Sequence, residues 1–111
     1  MTEITLENDF ARDVRFTGEK IADASSFSHL NDQRWTELAL YRTRAGKLIL
    51  HTRGMTRWQG ERCTSAVEIL ETEYDVLEAL YDAEYKFEPH LSDVEKDLLN
   101  RAGIDYAVEV E

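Results

Sequence analysis

Hydrophobic and polar residues alternate most regularly between residues 35 and 53, where the pattern predicts a β-hairpin with its turn near residues 44–46. A two-residue turn would place Leu38 and Leu40 on the same face as His51 and Arg53. A three-residue turn, with Gly46 at a positive φ, separates the leucines from these polar side chains. We therefore predict the second register, which gathers four leucines on one buried face: Leu38, Leu40, Leu48 and Leu50.

This register also fixes the opposite face of the hairpin, which mixes polar, aromatic and apolar residues. Its members are Glu37, Ala39, Tyr41, Lys47, Ile49, His51 and Arg53. The predicted cross-strand pairs are Glu37 with Arg53, Ala39 with His51, and Tyr41 with Ile49. Such a division favours a sheet with one face buried in the core and the other face exposed to solvent.

Two further strands flank the hairpin in the sequence. Residues 14–22 alternate as a strand, in which Gly18 predicts a bulge or bend. Residues 24–33 are rich in Ser, Asn and Asp and predict a loop. Residues 63–70 predict another strand, and residues 1–8 are expected to fray.

After residue 70 the hydrophobic period changes from 2 to about 3.6, which predicts two helices. Thr72 with Asp75 resembles a capping box and opens a helix that continues to about residue 86. Ser92 with Glu95 forms a more typical capping box, and the helix that it opens ends before a glycine. The apolar stripe of the first helix consists of Tyr74, Leu77, either Leu80 or Tyr81, and Tyr85. In the second helix we expect the inward-facing residues to be Val94, Leu98 and Ala102.

The order of these elements predicts an α+β fold in a single domain that covers residues 1–111. We expect a curved antiparallel β-sheet of about four strands, followed by two C-terminal helices packed on its leucine face. Residues 106–111 alternate again and predict a short edge strand.

Charge is segregated along the chain, and this adds a strong dipole to the predicted fold. Residues 34–62 contain seven basic and two acidic residues, a net charge of about +5, whereas residues 63–111 contain three basic and fourteen acidic residues, about −11. The sheet is then the basic layer and the helices are the acidic layer. Such a dipole can steer a charged partner or pair two copies of the chain.

The composition also limits the kind of protein. A net charge of −10 argues against direct nucleic-acid binding, since phosphate contacts need positive charge. Cys63 is the only cysteine, which excludes an intrachain disulfide and favours a cytoplasmic location. No apolar run is long enough for a membrane span, and no secretory signal is visible at the start. The three histidines are scattered without a metal-binding spacing, so we expect no metal and no cofactor.

One candidate site lies on the polar face of the hairpin. Glu37, His51 and Arg53 together provide the groups for general acid–base chemistry and for stabilising a phosphate transition state, as in small sheet-based ribonucleases. The competing interpretation, which we prefer, is a solvated sheet face whose charged pairs contribute only about 0.2–1 kcal/mol each.

A second candidate site is the loop after the hairpin, between two glycines. It contains Arg57 and Trp58, and Trp and Arg are the residues most enriched in interface hot spots. We predict an interaction site formed by Trp58, Arg57, Tyr41 and Arg53. The alternative is that Trp58 folds back as a buried lid over the sheet edge.

Three strings of residues resemble small bacterial proteins named for a C-terminal Glu-x-Leu-Asp-Ile signature, the EXLDI proteins. The strings are Arg15-Phe16-Thr17-Gly18, the run from Arg34-Trp35-Thr36-Glu37-Leu38 to Gly46-Lys47, and Thr56-Arg57-Trp58 with Gly60-Glu61. The end of this chain reads Ala107-Val108-Glu109-Val110-Glu111 in place of that signature. The resemblance implies a bacterial origin and one compact domain, and it carries over no activity.

These observations predict a small non-catalytic bacterial protein that acts through a protein–protein interface and associates with itself. One alternative is an acidic inhibitor or nucleic-acid mimic from a mobile element, suggested by the carboxylates Glu71, Glu73, Asp75, Glu78, Asp82 and Glu84. A second alternative is a small ribonuclease-like enzyme that uses Glu37, His51 and Arg53.

Overall fold

A computed structural model describes residues 1–27, 33–81 and 91–107 and confirms the α+β class, with a curled antiparallel sheet and two helices. The sheet has five strands, one more than predicted, and their order in space follows their order in the chain. The strands are β1 (Thr2–Leu6), β2 (Val14–Ser25), β3 (Arg34–Thr43), β4 (Leu48–Thr56) and β5 (Thr64–Leu70). The helices are α1 (Glu73–Tyr81) and α2 (Asp93–Ala102).

The β3–β4 hairpin has the predicted register. Gly46 has a φ of 90°, and the amide of Thr43 donates to the carbonyl of Lys47 over 2.9 Å, which closes a three-residue turn. All three predicted cross-strand pairs are present, and all four leucines are buried. The turn therefore sets which side chains face the core along the whole hairpin.

Both predicted capping boxes are present. Thr72 and Asp75 exchange hydrogen bonds of 3.2 and 3.1 Å ahead of α1. Ser92 accepts from the amide of Glu95, and the Glu95 carboxylate accepts from the amide of Ser92 over 2.8 Å. Gly103 ends α2 in the left-handed conformation, with a φ of 75°.

The helices cover the leucine face of the sheet, as predicted, but Tyr74 of the predicted apolar stripe is 66% exposed and Val76 is fully buried instead. α2 packs against β2 and β3, and α1 packs against β4. Small side chains on β2, Ala22 and Ala24, are buried in this core. The other members of the cluster are Leu38, Leu40, Leu48, Leu50, Val76, Leu80, Leu91, Leu98, Leu99 and Ile104.

The prediction that residues 1–8 fray was wrong, because residues 2–6 form β1 and pair with residues 14–18 of β2. The alternation of apolar and polar side chains in β1 places Ile4 and Leu6 on one face, and Leu6 is buried. Burial against the rest of the sheet thus orders a strand whose own sequence is too short to signal one.

The predicted bulge lies a few residues later than expected. The register of β2 shifts between Lys20 and Ala22, whereas Gly18 continues the ladder. Gly18 is needed for another reason: a side chain there would collide with the backbone of Arg42 on β3. Because the bulge adds one residue, Lys20 and Asp23 point to the same face of the sheet, and their side chains lie 2.6 Å apart.

The face opposite the helices is partly covered, although the sequence predicted a solvated face. The Phe16 ring packs edge-on against Tyr41, with centroids 5.5 Å apart. The amide of Asp9 donates to the carbonyl of Ser65 over 2.8 Å, which ties the chain after β1 to the start of β5. The sheet therefore curls until its first and last strands approach each other, and Ile49 and His51 become buried.

Several predictions fall wholly or partly outside the described residues. The predicted end of the first helix lies in the segment 82–90, which is not described. Residues 28–32 of the predicted loop are not described either. The described part of that loop differs from the prediction, since β2 continues to Ser25. Residues 104–107 form no strand, and the rest of the predicted edge strand is not described. Within the described residues, no helix combines the length and the apolar character that crossing a membrane requires.

Candidate functional site

A groove of about 510 Å³ lies on the face opposite the helices and reaches around the edge of β2 to α2. Cross-strand pairing builds it, because side chains of β2, β3 and β4 stand side by side in rows. The rows are Ser25, Glu37 and Arg53; Asp23, Ala39 and His51; and Lys20 with Tyr41. Ala39 is central and small, so the surrounding longer side chains form walls around it.

The three residues of the predicted acid–base site all line this groove. The Glu37 carboxylate accepts from Arg53 over 3.4 Å and from the Trp35 indole over 3.1 Å. It is therefore held in place from two sides. The structure brings Glu37, His51 and Arg53 to one face, as the register predicted, and adds Lys20 and Tyr41 to them.

His51 is held by Ser65, and the hydrogen bonds of Ser65 assign the tautomer. The Ser65 hydroxyl donates its only proton to the carbonyl of Glu7 over 2.7 Å. It must then accept the proton of His51 Nε2, which lies 2.6 Å away. The neutral ring consequently keeps an unprotonated Nδ1. Burial, and next the positive charge of Arg53, lower the pKa of His51, so the ring is neutral at pH 7.

Replacing His51 with glutamine is expected to remove part of the pH dependence of stability. Below about pH 6.5 the unfolded chain protonates this histidine to a greater extent than the folded protein does, because the fold lowers its pKa, so the free energy of unfolding falls as the pH decreases through that window. Glutamine retains an amide donor for Ser65 but does not titrate. Urea unfolding of both proteins from about pH 7.5 to about pH 5 measures the difference.

Subtracting the free energies of unfolding of the two proteins at each pH cancels the contributions of the other titrating groups. Glu68 is one of them: burial raises its pKa, so its contribution runs in the opposite direction. Parallel pH profiles for the wild type and His51→Gln would show that the histidine is not protected from protonation by the fold.

Among the described residues, every cation that lines the groove has a carboxylate partner. Lys20 lies 2.6 Å from Asp23, Arg53 lies 3.4 Å from Glu37, and Arg101 of α2 lies 3.1 Å from Asp97. The hydrogen bond between Lys20 and Asp23 raises the pKa of the lysine and lowers that of the aspartate, so both are charged at neutral pH. With His51 neutral, the described residues that line the groove are rich in hydrogen-bonding groups, and their charges cancel.

The loop of the second predicted site lies at the end of the sheet, and the Trp58 ring there is half exposed. The Arg34 guanidinium lies over this ring, 5.5 Å from its centre. Two hydrogen bonds of 3.1 and 2.8 Å join Arg34 to Glu61, which also accepts from Thr56 over 2.6 Å. The exposed fraction of Trp58 is 50%, so the alternative that it forms a buried lid was wrong.

Arg57 lies on the other face of the sheet from Trp58. Its guanidinium sits 5.2 Å from the Phe27 ring and 5.3 Å from the Trp35 ring. Arg34, which stacks on Trp58, precedes Trp35 in β3, and neighbouring residues of a strand point to opposite faces. The four predicted interaction residues are therefore divided: Arg57, Arg53 and Tyr41 share the groove face, and Trp58 belongs to the opposite face.

No protein-family model, curated protein or solved structure matches this chain. The resemblance to EXLDI proteins stays a prediction.

Several residues of these sites were missed in the sequence. Lys20 and Asp23 join the groove only because of the bulge in β2, and a spacing of three residues in a strand normally separates side chains onto opposite faces. Ser65 gave no signal, because its partners lie more than a dozen residues away in the chain. Cys63 is exposed, and its sulfur lies 3.8 Å from the carbonyl oxygen of Thr56. In the described ranges, no cluster of His, Cys, Asp or Glu could hold a metal ion.

Proposed function

We propose that this is a non-catalytic binding protein that associates with itself through the end of its sheet. We name this end the arginine–aromatic end and define it by Arg34 and Trp58 on one face of the sheet and by Arg57, Trp35 and Phe27 on the other. The observation that carries the proposal is that Trp58 is half exposed and yet held in one position, under Arg34 and beside the Arg34–Glu61 pair. The proposal includes a cytoplasmic location in a bacterium.

An ordered and exposed tryptophan is well suited to binding. A large apolar ring left in water is unfavourable, and covering it with a partner recovers hydrophobic free energy. Because the loop is already held by Arg34, Thr56 and Glu61, little conformational entropy is lost when a partner packs on Trp58. Preorganised aromatic and arginine side chains are the usual anchors of protein interfaces.

The charge distribution favours a second copy of the chain as the partner. The arginine–aromatic end takes four of its five residues from the basic segment 34–62, whereas exposed carboxylates on the helices carry negative charge, among them Glu73, Glu78 and Asp93. A contact between the end of one molecule and the helical layer of another would pair opposite charges. Such a contact should weaken as salt rises, because exposed charges are screened beyond about 8 Å at physiological salt.

Replacing Trp58 with alanine is expected to abolish self-association while changing the free energy of unfolding by less than about 1 kcal/mol, since half of the ring already faces water. Sedimentation velocity at micromolar concentration, at low and at physiological salt, measures the association. Ile69→Ala is the matched control, because Ile69 is also an exposed large apolar residue, with 56% exposure, and lies at the opposite end of the sheet. A monomeric wild type at low salt, or a dimer indifferent to salt, would refute the proposal.

The two alternative functions have less support. Among the described carboxylates of the proposed nucleic-acid mimic, Glu71 pairs with Lys47 and Asp75 caps α1, so both have structural roles. The placement of Glu37, His51 and Arg53 in one groove supports the ribonuclease-like alternative. Each cation there stands beside a carboxylate, which opposes the binding of a polyanion.

A further inference from the structure

The groove around Ala39 has features of a small-molecule site, and these do not depend on the arginine–aromatic end. Its volume of about 510 Å³ lies within the usual range for ligand pockets, roughly 300–1,000 Å³. Its floor is a methyl group, while His51, Tyr41 and Asp23 rise around it from three strands. Side chains on neighbouring strands hold fixed distances, so the walls are rigid.

His51 offers this groove a hydrogen-bond acceptor of known orientation. Its Nε2 proton is committed to Ser65, so only Nδ1 remains for a ligand. Nδ1 accepts no hydrogen bond from any described residue. It is also not fully enclosed, because it does not belong to the completely buried atoms without a partner among the described residues. Since His51 is 91% buried by the protein and lines the groove, the groove is where a ligand donor can reach this atom.

The paired charges of the groove select against ions. A ligand with a net charge would meet a repelling group beside every attracting one, because Lys20, Arg53 and Arg101 each stand next to a carboxylate. An uncharged ligand leaves these pairs intact. Such a ligand can still accept hydrogen bonds from N–H groups of Arg53 and donate to the carboxylate oxygens of Asp23. A ligand that carries donors and acceptors close together would therefore find a partner for each of them.

Tyr41 adds an aromatic wall to the groove. Its ring is fixed by the edge contact with Phe16, 5.5 Å between centroids, and it lines the groove beside Lys20. An aromatic surface stacks on flat rings and on the apolar face of a sugar.

We infer that the groove around Ala39 binds a small uncharged cyclic molecule with adjacent hydrogen-bond donors and acceptors, that is, a heterocyclic base or a sugar. In this site, a ligand N–H or O–H donates to His51 Nδ1, other polar groups bond to Arg53 and Asp23, and the ring lies against Tyr41. The site requires no cofactor and makes or breaks no covalent bond.

Titration of the ¹⁵N-labelled full chain with two neutral probes, uracil and glucose, tests the inference. One probe should give saturable shifts of the amides of Ala39 and Tyr41, and of the His51 Nδ1 resonance, which reports acceptance of a hydrogen bond. Each neutral probe has a charged counterpart, orotate and glucose 6-phosphate. We expect the counterpart of the probe that binds to be weaker by about tenfold or more, equivalent to about 1.4 kcal/mol.

Ala39→Leu fills the floor of the groove and should eliminate these shifts, whereas Ile69→Ala, outside the groove, should leave them unchanged. The Nδ1 measurement on the wild type does not depend on how well the leucine variant folds. Shifts with uracil alone identify a base site, and shifts with glucose alone identify a sugar site. Absence of saturable shifts with both neutral probes would overturn the inference, and so would equal or tighter binding of the charged counterpart.

Discussion

Replacing Leu40 with alanine is expected to lower the free energy of unfolding by about 2–5 kcal/mol. Leu40 is completely buried in the core cluster beneath the helices, so truncation leaves a cavity in the core. A loss of this size is a large part of the stability of a small domain. Urea unfolding followed by circular dichroism measures it.

Ile69→Ala serves as the control for this substitution as well. Ile69 is more than half exposed, so removing its side chain should change the stability by no more than about 0.5 kcal/mol. If the two variants were equally stable, the leucine face of the hairpin would not be the core of the protein.

Replacing Gly18 with alanine is expected to destabilise the protein by about 1–3 kcal/mol or more, comparable to overpacking a core. A methyl group at residue 18 would enter the space occupied by the carbonyl oxygen of Arg42. That oxygen belongs to the backbone of β3, so relief requires separation of two paired strands. The free energy of unfolding from urea titrations again gives the magnitude.

Gly54→Ala is a close control for Gly18→Ala, because both glycines lie in strands of the sheet. The added methyl of Gly54→Ala would meet only the Thr64 hydroxyl, at 2.7 Å, and Thr64 is exposed and can rotate away. We expect this variant to retain a stability near that of the wild type. Equal losses in the two variants would mean that glycine is preferred at residue 18 for reasons other than the contact with β3.

Local signals in the sequence explain why the hairpin and the helix ends could be predicted. Gly46 and the four leucines together permit a single register, and the turn that sets it involves only neighbouring residues. The capping box of Ser92 and Glu95 spans four residues. Where a few adjacent residues determine the local geometry, a single sequence contains enough information to predict that geometry.

Contacts between distant parts of the chain explain what could not be predicted. β1 is ordered by pairing with β2, and the chain after it is tied to Ser65 across 56 residues. The position of the bulge in β2 depends on how β3 pairs with it, so Gly18 gave a misleading signal. The predicted residues Glu37, His51 and Arg53 reached the groove through the register, whereas Lys20 and Asp23 could be placed there only once the bulge was known.

The hydrogen bond between Asp9 and Ser65 also bears on the order in which parts of the protein fold. Asp9 and its partner Ser65 are 56 residues apart in the chain, so during synthesis Asp9 leaves the ribosome well before Ser65. Until Ser65 has been made, the hydrogen bonds that join the chain after β1 to β5 cannot form, and apolar surface of the incomplete sheet is exposed to other nascent chains. Contacts this distant in sequence slow folding, because the intervening loop must be ordered before they can form. Closure of the curled sheet is therefore a late step in the folding of this protein.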